Sequence, residues 1–225
     1  MKIKAVILCK KNSQRLKKKN TRKFLNFNFG LIELKINQLL KVKKIDSILI
    51  STDDDEILSK FKNFHKKIVV VRRDKKLCNL NTKTQDLINH VANLAPKDKI
   101  LWTQVSSPLV NAKIYEQAIA LYKKKINLGY DSLMSVTKKQ IFIWNDKKPL
   151  NYKIKKNNKW PRTQDIQKTY FINSSIFIFD KKIFLKYKDR IGKKPYFFNI
   201  DEKFSIDIDN HYNFKLAEIL YKSKL

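Results

Sequence analysis

Near the carboxyl end of the chain, Ser205-Ile206-Asp207-Ile208-Asp209 alternates carboxylates with β-branched apolar residues. Read as a strand from Phe204 to Asp209, it turns Asp207 and Asp209 to one side and Ile206 and Ile208 to the core. Two like charges side by side repel unless a cation lies between them, and hard oxygen ligands suit Mg²⁺ bound to phosphate. Helix capping by Asp209 is the plain alternative, but it accounts for one aspartate and not the pair. A second motif, Cys9 to Asn20, leaves the first apolar run with a dense set of cations and small polar groups. Such a loop can surround a triphosphate, although it lacks the glycines that usually let backbone N–H groups approach closely. As a solvated basic loop it needs no ligand at all.

Two further stretches place polar groups where chains turn. Thr103-Gln104-Val105-Ser106-Ser107-Pro108-Leu109 follows a buried-type strand, and Gln104 offers both a donor and an acceptor. Ser107-Pro108 can equally be the cap and first turn of the next helix. In Pro161-Arg162-Thr163-Gln164-Asp165, Arg162 stands among many lysines and has the planar fork that clamps a carboxylate, unless it is a surface turn. Ser51 to Glu56 reads better as a helix cap with acidic first-turn residues than as a catalytic cluster, although Asp53 follows a strand end. His65, His90 and His211 are scattered, and Cys9 and Cys78 have neither a disulfide framework nor metal-ligand spacing.

The elements that must position these groups alternate. Strands are expected at Ile3–Leu8, Ser47–Ser51, Ile68–Val71 and Ile100–Thr103. Helices are expected at 31–40, 54–64, 86–94 (announced by a capping-box pattern at Thr82-Lys83-Thr84-Gln85) and 114–122. That rhythm implies a mostly parallel α/β sheet covered on both faces, with ligands at the carboxyl ends of its strands. Beyond Tyr130, strands are expected at 132–136, 141–144, 170–179 and 204–209, with a closing helix at 211–221. The polar stretch at 147–168 reads as an inserted loop or hairpin. One domain over 1–225 is expected, with an excursion at about 138–170.

The formal net charge of +30 invites a nucleic-acid reading, and segments such as Lys193 to Phe198 could serve one. Arg15, Arg22, Arg72, Arg73, Arg162 and Arg190 are the only arginines, however, and the lysines are dispersed along the chain. A lysine coat of this kind favours small anionic substrates over base readout. No apolar run approaches the ~20 residues of a membrane span, and the apolar stretch after the basic start is too short for a signal-peptide core. The expected compartment is the reducing cytoplasm.

Taken in order, the motifs resemble the acylneuraminate cytidylyltransferase family, the synthetases of CMP-activated nonulosonic and related keto-deoxy sugar acids. Its A-R-x-x-S-K-x-x-P-x-K-N loop is matched by Cys9 to Asn20, its S-T-D-D by Ser51 to Asp54, and its L-Q-P-T-S-P-L-R by the stretch ending at Val110. R-x-Q-D-L, N-G-A and S-I-D-I-D follow at Arg162 to Ile166, Asn173 to Ser175 and Ser205 to Asp209. The resemblance implies a Rossmann-like nucleotidyltransferase fold that joins CTP to an acidic sugar. Lys10, Ser13, Arg15, Lys19 and Asn20 would hold the nucleotide, and Gln104, Arg162, Gln164 and Asn173 the sugar acid. Asp207 and Asp209 would hold Mg²⁺ and, with Lys19, form the catalytic set. It also implies a homodimer in which one subunit's excursion nears the other's site. The sequence departs from the pattern with Lys10 for arginine, Gln14 for lysine, Lys17 for proline, Val110 for arginine and Ser174 for glycine. No residue stands out as general base, and a nucleotide-binding homologue without turnover is the nearest alternative.

Overall fold

The computed structural model describes residues 2–95 and 99–223. Its strands are β1 (Ile3–Cys9), β2 (Ser47–Thr52), β3 (Ile68–Arg72), β4 (Lys99–Thr103), β5 (Ser132–Lys139), β6 (Thr169–Asp180) and β7 (Pro195–Asn199). They form one sheet in the order β3-β2-β1-β4-β6-β5-β7. Neighbours pair in parallel except at β6, which runs antiparallel to both β4 and β5. Helices α1 (Gly30–Leu40), α2 (Asp55–Phe61), α3 (Thr84–Leu94), α4 (Ala112–Ile126), α5 (Lys181–Tyr187) and α6 (His211–Lys222) complete the chain.

Period-2 alternation divides the core in two, as strands buried on both faces require. Ala5, Ile7, Ile48, Ile50, Leu101, Ile176 and Ile178 pack with Leu31, Leu34, Ile114, Tyr115 and Phe214 of α1, α4 and α6. Val6, Leu49, Ile100, Trp102, Met134, Phe177 and Phe179 pack on the other face with Ile88 and Val91 of α3 and Phe184 of α5. The central strands therefore stay apolar throughout, and polar groups are pushed to the strand ends.

Several expectations need correction. Residues 141–144 form no strand: β6 begins at Thr169, which pairs with Lys139, so β5 has no partner beyond that point. Phe142, Trp144, Tyr152 and Trp160 form an aromatic cluster instead, with ring centroids 5.2 to 6.3 Å apart. Residues 204–209 form no strand either. A 3₁₀ turn covers Glu202–Phe204, and the extended stretch after it makes one sheet-like bond, from Ile208 N–H to the Ser106 carbonyl at 2.8 Å. The alternation survives: Ile208 is fully buried and Ile206 packs against the core. The α3 capping box is half formed. Its N-cap is Lys83, which has no acceptor, while Asp86 accepts the Lys83 backbone N–H at 3.2 Å. α5 and β7 were not expected. In β7, Phe198 is buried and Tyr196 packs on the core, so the aromatic-basic stretch at 193–198 is an edge strand.

The pairing of β5 with β6 shifts register between Met134 and Val136. At this irregularity Ser174 adopts a left-handed backbone, φ +56°, at the position where the motif carries glycine. Left-handed backbone costs an L-residue ~1–2 kcal/mol, partly offset because glycine loses more entropy on folding. Ser174→Gly is expected to raise the unfolding free energy by roughly 0.5–1 kcal/mol in denaturant titrations.

Candidate active site

Three segments meet at the carboxyl ends of β1 and β4. The loop after β1 turns at 16–22 through bonds from Lys19 N–H to the Leu16 carbonyl (3.2 Å) and from Arg22 N–H to that of Lys18 (2.7 Å). It turns without glycine because Lys18 takes φ +52°. Buried Asn20 donates from Nδ2 to the Lys10 carbonyl at 2.9 Å, closing the loop's base. Asp53, at the end of β2, accepts the Lys11 N–H at 2.8 Å, and Asp54 caps α2 by accepting from Glu56 N–H at 3.1 Å. The capping reading of Ser51 to Glu56 is therefore right for Asp54, while Asp53 pins the loop.

That loop reaches the 205–209 segment. Lys19 Nζ donates to the Ile208 carbonyl at 2.8 Å and lies 3.9 Å from Asp209 Oδ1. Arg15 donates to the same oxygen at 2.6 Å. Asp207 receives a hydrogen bond from the Ser106 side chain. Its carboxyl is pushed above the ordinary carboxylate value, first by removal from water and also by Asp209; Ser106, Lys19 and Arg15 pull it back. The residue as a whole remains exposed, so crowding of the carboxyl by neighbouring protein rather than full burial causes the shift. Asp209 does not cap α6: Asn210 does, accepting the Asn213 N–H at 2.9 Å. Nor does Ser107-Pro108 open α4, whose cap is Asn111.

Among the described residues no group of three or more His, Cys, Asp and Glu side chains could hold a metal. Asp207 and Asp209 fit a Mg²⁺ ion that takes its remaining oxygens from phosphates and water, the usual arrangement for this cation. A hollow of about 390 Å³ opens under the loop, lined by Ser13, Gln14 and Lys17 but also by Asp54 and Glu56. Lys11, Lys17 and Lys18 outnumber these two carboxylates in its lining, so the hollow, like the Arg15 and Lys19 side of the loop, carries net positive charge.

The residues expected on the sugar side are divided. Gln104 stands on the turn whose next residues, Ser106 and Ser107, reach Asp207 and Ser175; Ser107 Oγ and Ser175 Oγ are 3.1 Å apart. Asn173 spends both ends of its amide on neighbours, accepting from Ser135 Oγ at 2.5 Å and donating to Thr137 Oγ1 at 3.1 Å. Arg162 is 74% exposed and pairs with Asp165 at 2.8 Å, which raises its pKa. The Gln164 carbonyl accepts from Gln140 Nε2 at 2.8 Å. These bonds tie Arg162 and Gln164 to the excursion and to Gln140, and none of them reaches Asp207 or Asp209. A hollow of about 480 Å³ lies beside them, lined in part by Tyr152, Lys153, Pro161 and Asp165.

Sequence reading missed Arg73, whose buried guanidinium donates to Cys78 Sγ at 3.0 Å next to Asp53. It also missed the pair of Ser51 and His90, 2.8 Å apart, in which burial and then Arg73 lower the His90 pKa. An arginine pair directly after a predicted strand was the available signal for Arg73.

A doubly covered sheet of this order, with a cation-rich loop facing paired carboxylates, is a nucleotidyltransferase fold. The same architecture occurs in CMP:2-keto-3-deoxy-manno-octonic acid synthetase complexed with CTP, with a TM-score of 0.68 at 13% identity over all of both chains. It also occurs in 4-diphosphocytidyl-2C-methyl-D-erythritol synthase of Anaerococcus prevotii, with a TM-score of 0.66 at 15% identity over 98% of this chain and 96% of that one. The chain belongs to the cytidylyltransferase family, whose pattern matches residues 5–224. It is similar to a pseudaminic acid cytidylyltransferase of Campylobacter jejuni, 24% identical over 99% of this chain and 97% of the relative. A local match, 33% identical over 31% of this chain, spans 29% of a post-translational flagellin modification protein B of Campylobacter coli.

Asn210→Ala is expected to lower stability by about 1 kcal/mol, while Asp209→Ala stays within roughly 0.5 kcal/mol, because its ion pair is solvent-exposed. Urea unfolding of both variants checks this.

Proposed function

We propose that this cytidylyltransferase activates an acidic keto-deoxy sugar of the nonulosonate class, converting CTP to a CMP-sugar and pyrophosphate. The observation that carries the reading is the convergence of Arg15 and Lys19 with Asp207 and Asp209 in one cleft. The anomeric hydroxyl attacks the α-phosphorus in line, the bond to the β-phosphate oxygen breaks, and pyrophosphate departs. Such transfer needs positioning and charge neutralisation more than covalent chemistry. Lys19 and Arg15 balance phosphate charge, Asn20 and Ser13 shape the nucleotide side, and Gln104 faces the sugar side. Mg²⁺ held by Asp207 and Asp209 would supply further neutralisation of the transferring phosphate and the departing pyrophosphate.

The acting unit in this reading is a homodimer. Arg162 pairs with its neighbour Asp165 on the exposed excursion, and in this reading it and Gln164 serve the partner's site, Arg162 by clamping the sugar carboxylate. Trp144, Trp160, Tyr170, Phe171 and Ile172 are exposed, and in this reading the partner covers apolar side chains among them. No helix among the described residues is long and apolar enough to cross a membrane. Because the reaction consumes CTP, the cytoplasm is the compartment we propose.

Pyrophosphate release from CTP, UTP, ATP and GTP with a panel of sugar acids, pseudaminic acid first, tests the reading. Release with CTP alone, and only when a sugar acid is present, is expected; equal release from UTP or ATP would sink it. Asp207→Asn and Asp209→Asn are each expected to reduce kcat by about a hundredfold or more at limiting Mg²⁺, as loss of one transition-state stabiliser does. Near-normal turnover in both would remove the metal from those residues.

A further inference from the structure

Lys35 has no exposed surface, and no carboxylate contributes to its environment. A buried ammonium without a counter-ion is costly, and proteins normally keep lysine at the surface. Here the Nζ atom is spent on the turn that follows β4. It donates to the Ser107 carbonyl at 2.8 Å and to the Tyr115 hydroxyl at 2.8 Å, and lies 3.5 Å from the Val110 carbonyl. Three residues along the same face of α1, Gln38 Nε2 donates to the Pro108 carbonyl at 2.7 Å. One helix thus grips the turn at two successive carbonyls.

The hydrogen bonds beyond Tyr115 have a fixed direction. Thr103 Oγ1 donates its proton to the Ser175 carbonyl at 2.7 Å, so Tyr115, 2.7 Å from Thr103 Oγ1, must donate to Thr103. Tyr115 then has only acceptor capacity left for Lys35. The chain runs from Lys35 through Tyr115 and Thr103 to Ser175, and Ser175 Oγ returns to Ser107 Oγ at 3.1 Å. Burial keeps the Tyr115 hydroxyl protonated by pushing its pKa up. Every polar atom in this ring lies behind the turn that presents Gln104 and that places Ser106 on Asp207 and on Ile208 N–H.

We infer that Lys35 is a positioning residue for the cytidylyl-transfer reaction: from behind the site it clamps the Gln104–Val110 turn and so sets where Asp207 and Gln104 stand. The inference rests on the proposed function for its kinetic part and on the turn's order for the rest. Burial pushes the Lys35 pKa down to about 7, and the titratable group facing it is Tyr115 of α4. A neutral amine has two protons, enough for Ser107 and Tyr115; the ammonium's third reaches the long-range Val110 carbonyl. The grip on the turn therefore tightens as pH falls through about 7.

Lys35→Met keeps the length and removes the donors. Turnover is expected to fall on the order of a hundredfold, as misplacement by a fraction of an ångström to one ångström can cause. The KM for CTP should stay nearly unchanged, and an inflection near neutral pH present in wild-type kcat should disappear. Backbone hydrogen exchange at Ser107 and Val110, read without substrate, should accelerate in the variant. Tyr115→Phe retains Lys35 and its bond to Ser107, so it should lose less turnover and keep the pH inflection; it also serves if Lys35→Met does not fold. Wild-type protein that releases no pyrophosphate with any sugar acid would refute the proposed function, and faster exchange at 104–110 in Lys35→Met would still support the clamp. Folded Lys35→Met with wild-type kcat, pH profile and exchange overturns the inference.

Discussion

The site depends on how Ile208 is held. Its side chain is fully buried, its N–H donates to the Ser106 carbonyl, and its carbonyl accepts from Lys19 Nζ. One residue therefore ties the 205–209 segment both to the turn after β4 and to a loop 189 positions earlier in the chain. Closing so long a separation costs conformational entropy that grows only slowly with length, and burial of an isoleucine, worth ~1.5–3 kcal/mol, helps to offset it. Asp207 and Asp209 flank that anchor, so their proximity follows from packing and not from a strand ladder. A substitution that loosened Ile208 would disturb both carboxylates without touching either.

The cleft's electrostatics follow from that placement. Asp209 is already neutralised by Arg15 and approached by Lys19, while Asp207 relies on a neutral hydroxyl and is pushed towards protonation. The two carboxylates thus differ in how readily they give up their present partners. A divalent cation between them would have to displace Arg15 from Asp209, and a triphosphate arriving with that cation offers Arg15 a replacement anion. On the proposed reading, substrate entry exchanges one set of ion pairs for another with little net desolvation, which suits a site that must bind and release highly charged molecules.

Much of this was legible in the sequence because it depends on periodicity. β1 to β4 and β6 are apolar runs bounded by polar turns, and their successive side chains alternate between the two core layers. α5 and β7 were hidden: α5 is a seven-residue helix that buries Phe184 among Lys181, Lys182, Leu185 and Lys186, and β7 is a five-residue edge. The 205–209 stretch carried the correct alternation but the wrong element, since β4 already has β1 and β6 as neighbours and offers no free edge. Arg162, Gln164 and the Lys35 ring could not be placed from spacing. Their surroundings are set by contacts between distant segments, and a lysine at a buried helix position looks in sequence like any other lysine on this lysine-rich chain.

The chain's shortage of glycine clarifies which of its turns are constrained and how. Only three glycines occur in the sequence, yet Lys18, Leu25, Ser174 and Lys188 all adopt left-handed backbone, φ +51° to +56°. A non-glycine residue can occupy that region at ~1–2 kcal/mol wherever its Cβ has room. Gly30 is a different case. Besides φ +69°, a Cβ there would lie 2.2 Å from the Arg22 carbonyl oxygen, inside backbone that cannot give way. Arg22 belongs to the same turn that aims Lys19, so the close approach of α1 to the opening loop requires glycine absolutely. At Lys18 and Ser174 the requirement is conformational alone, and a strained but feasible residue stands in both. The site's two glycine-free bends are thus a stability cost compatible with its geometry, whereas Gly30 is part of that geometry.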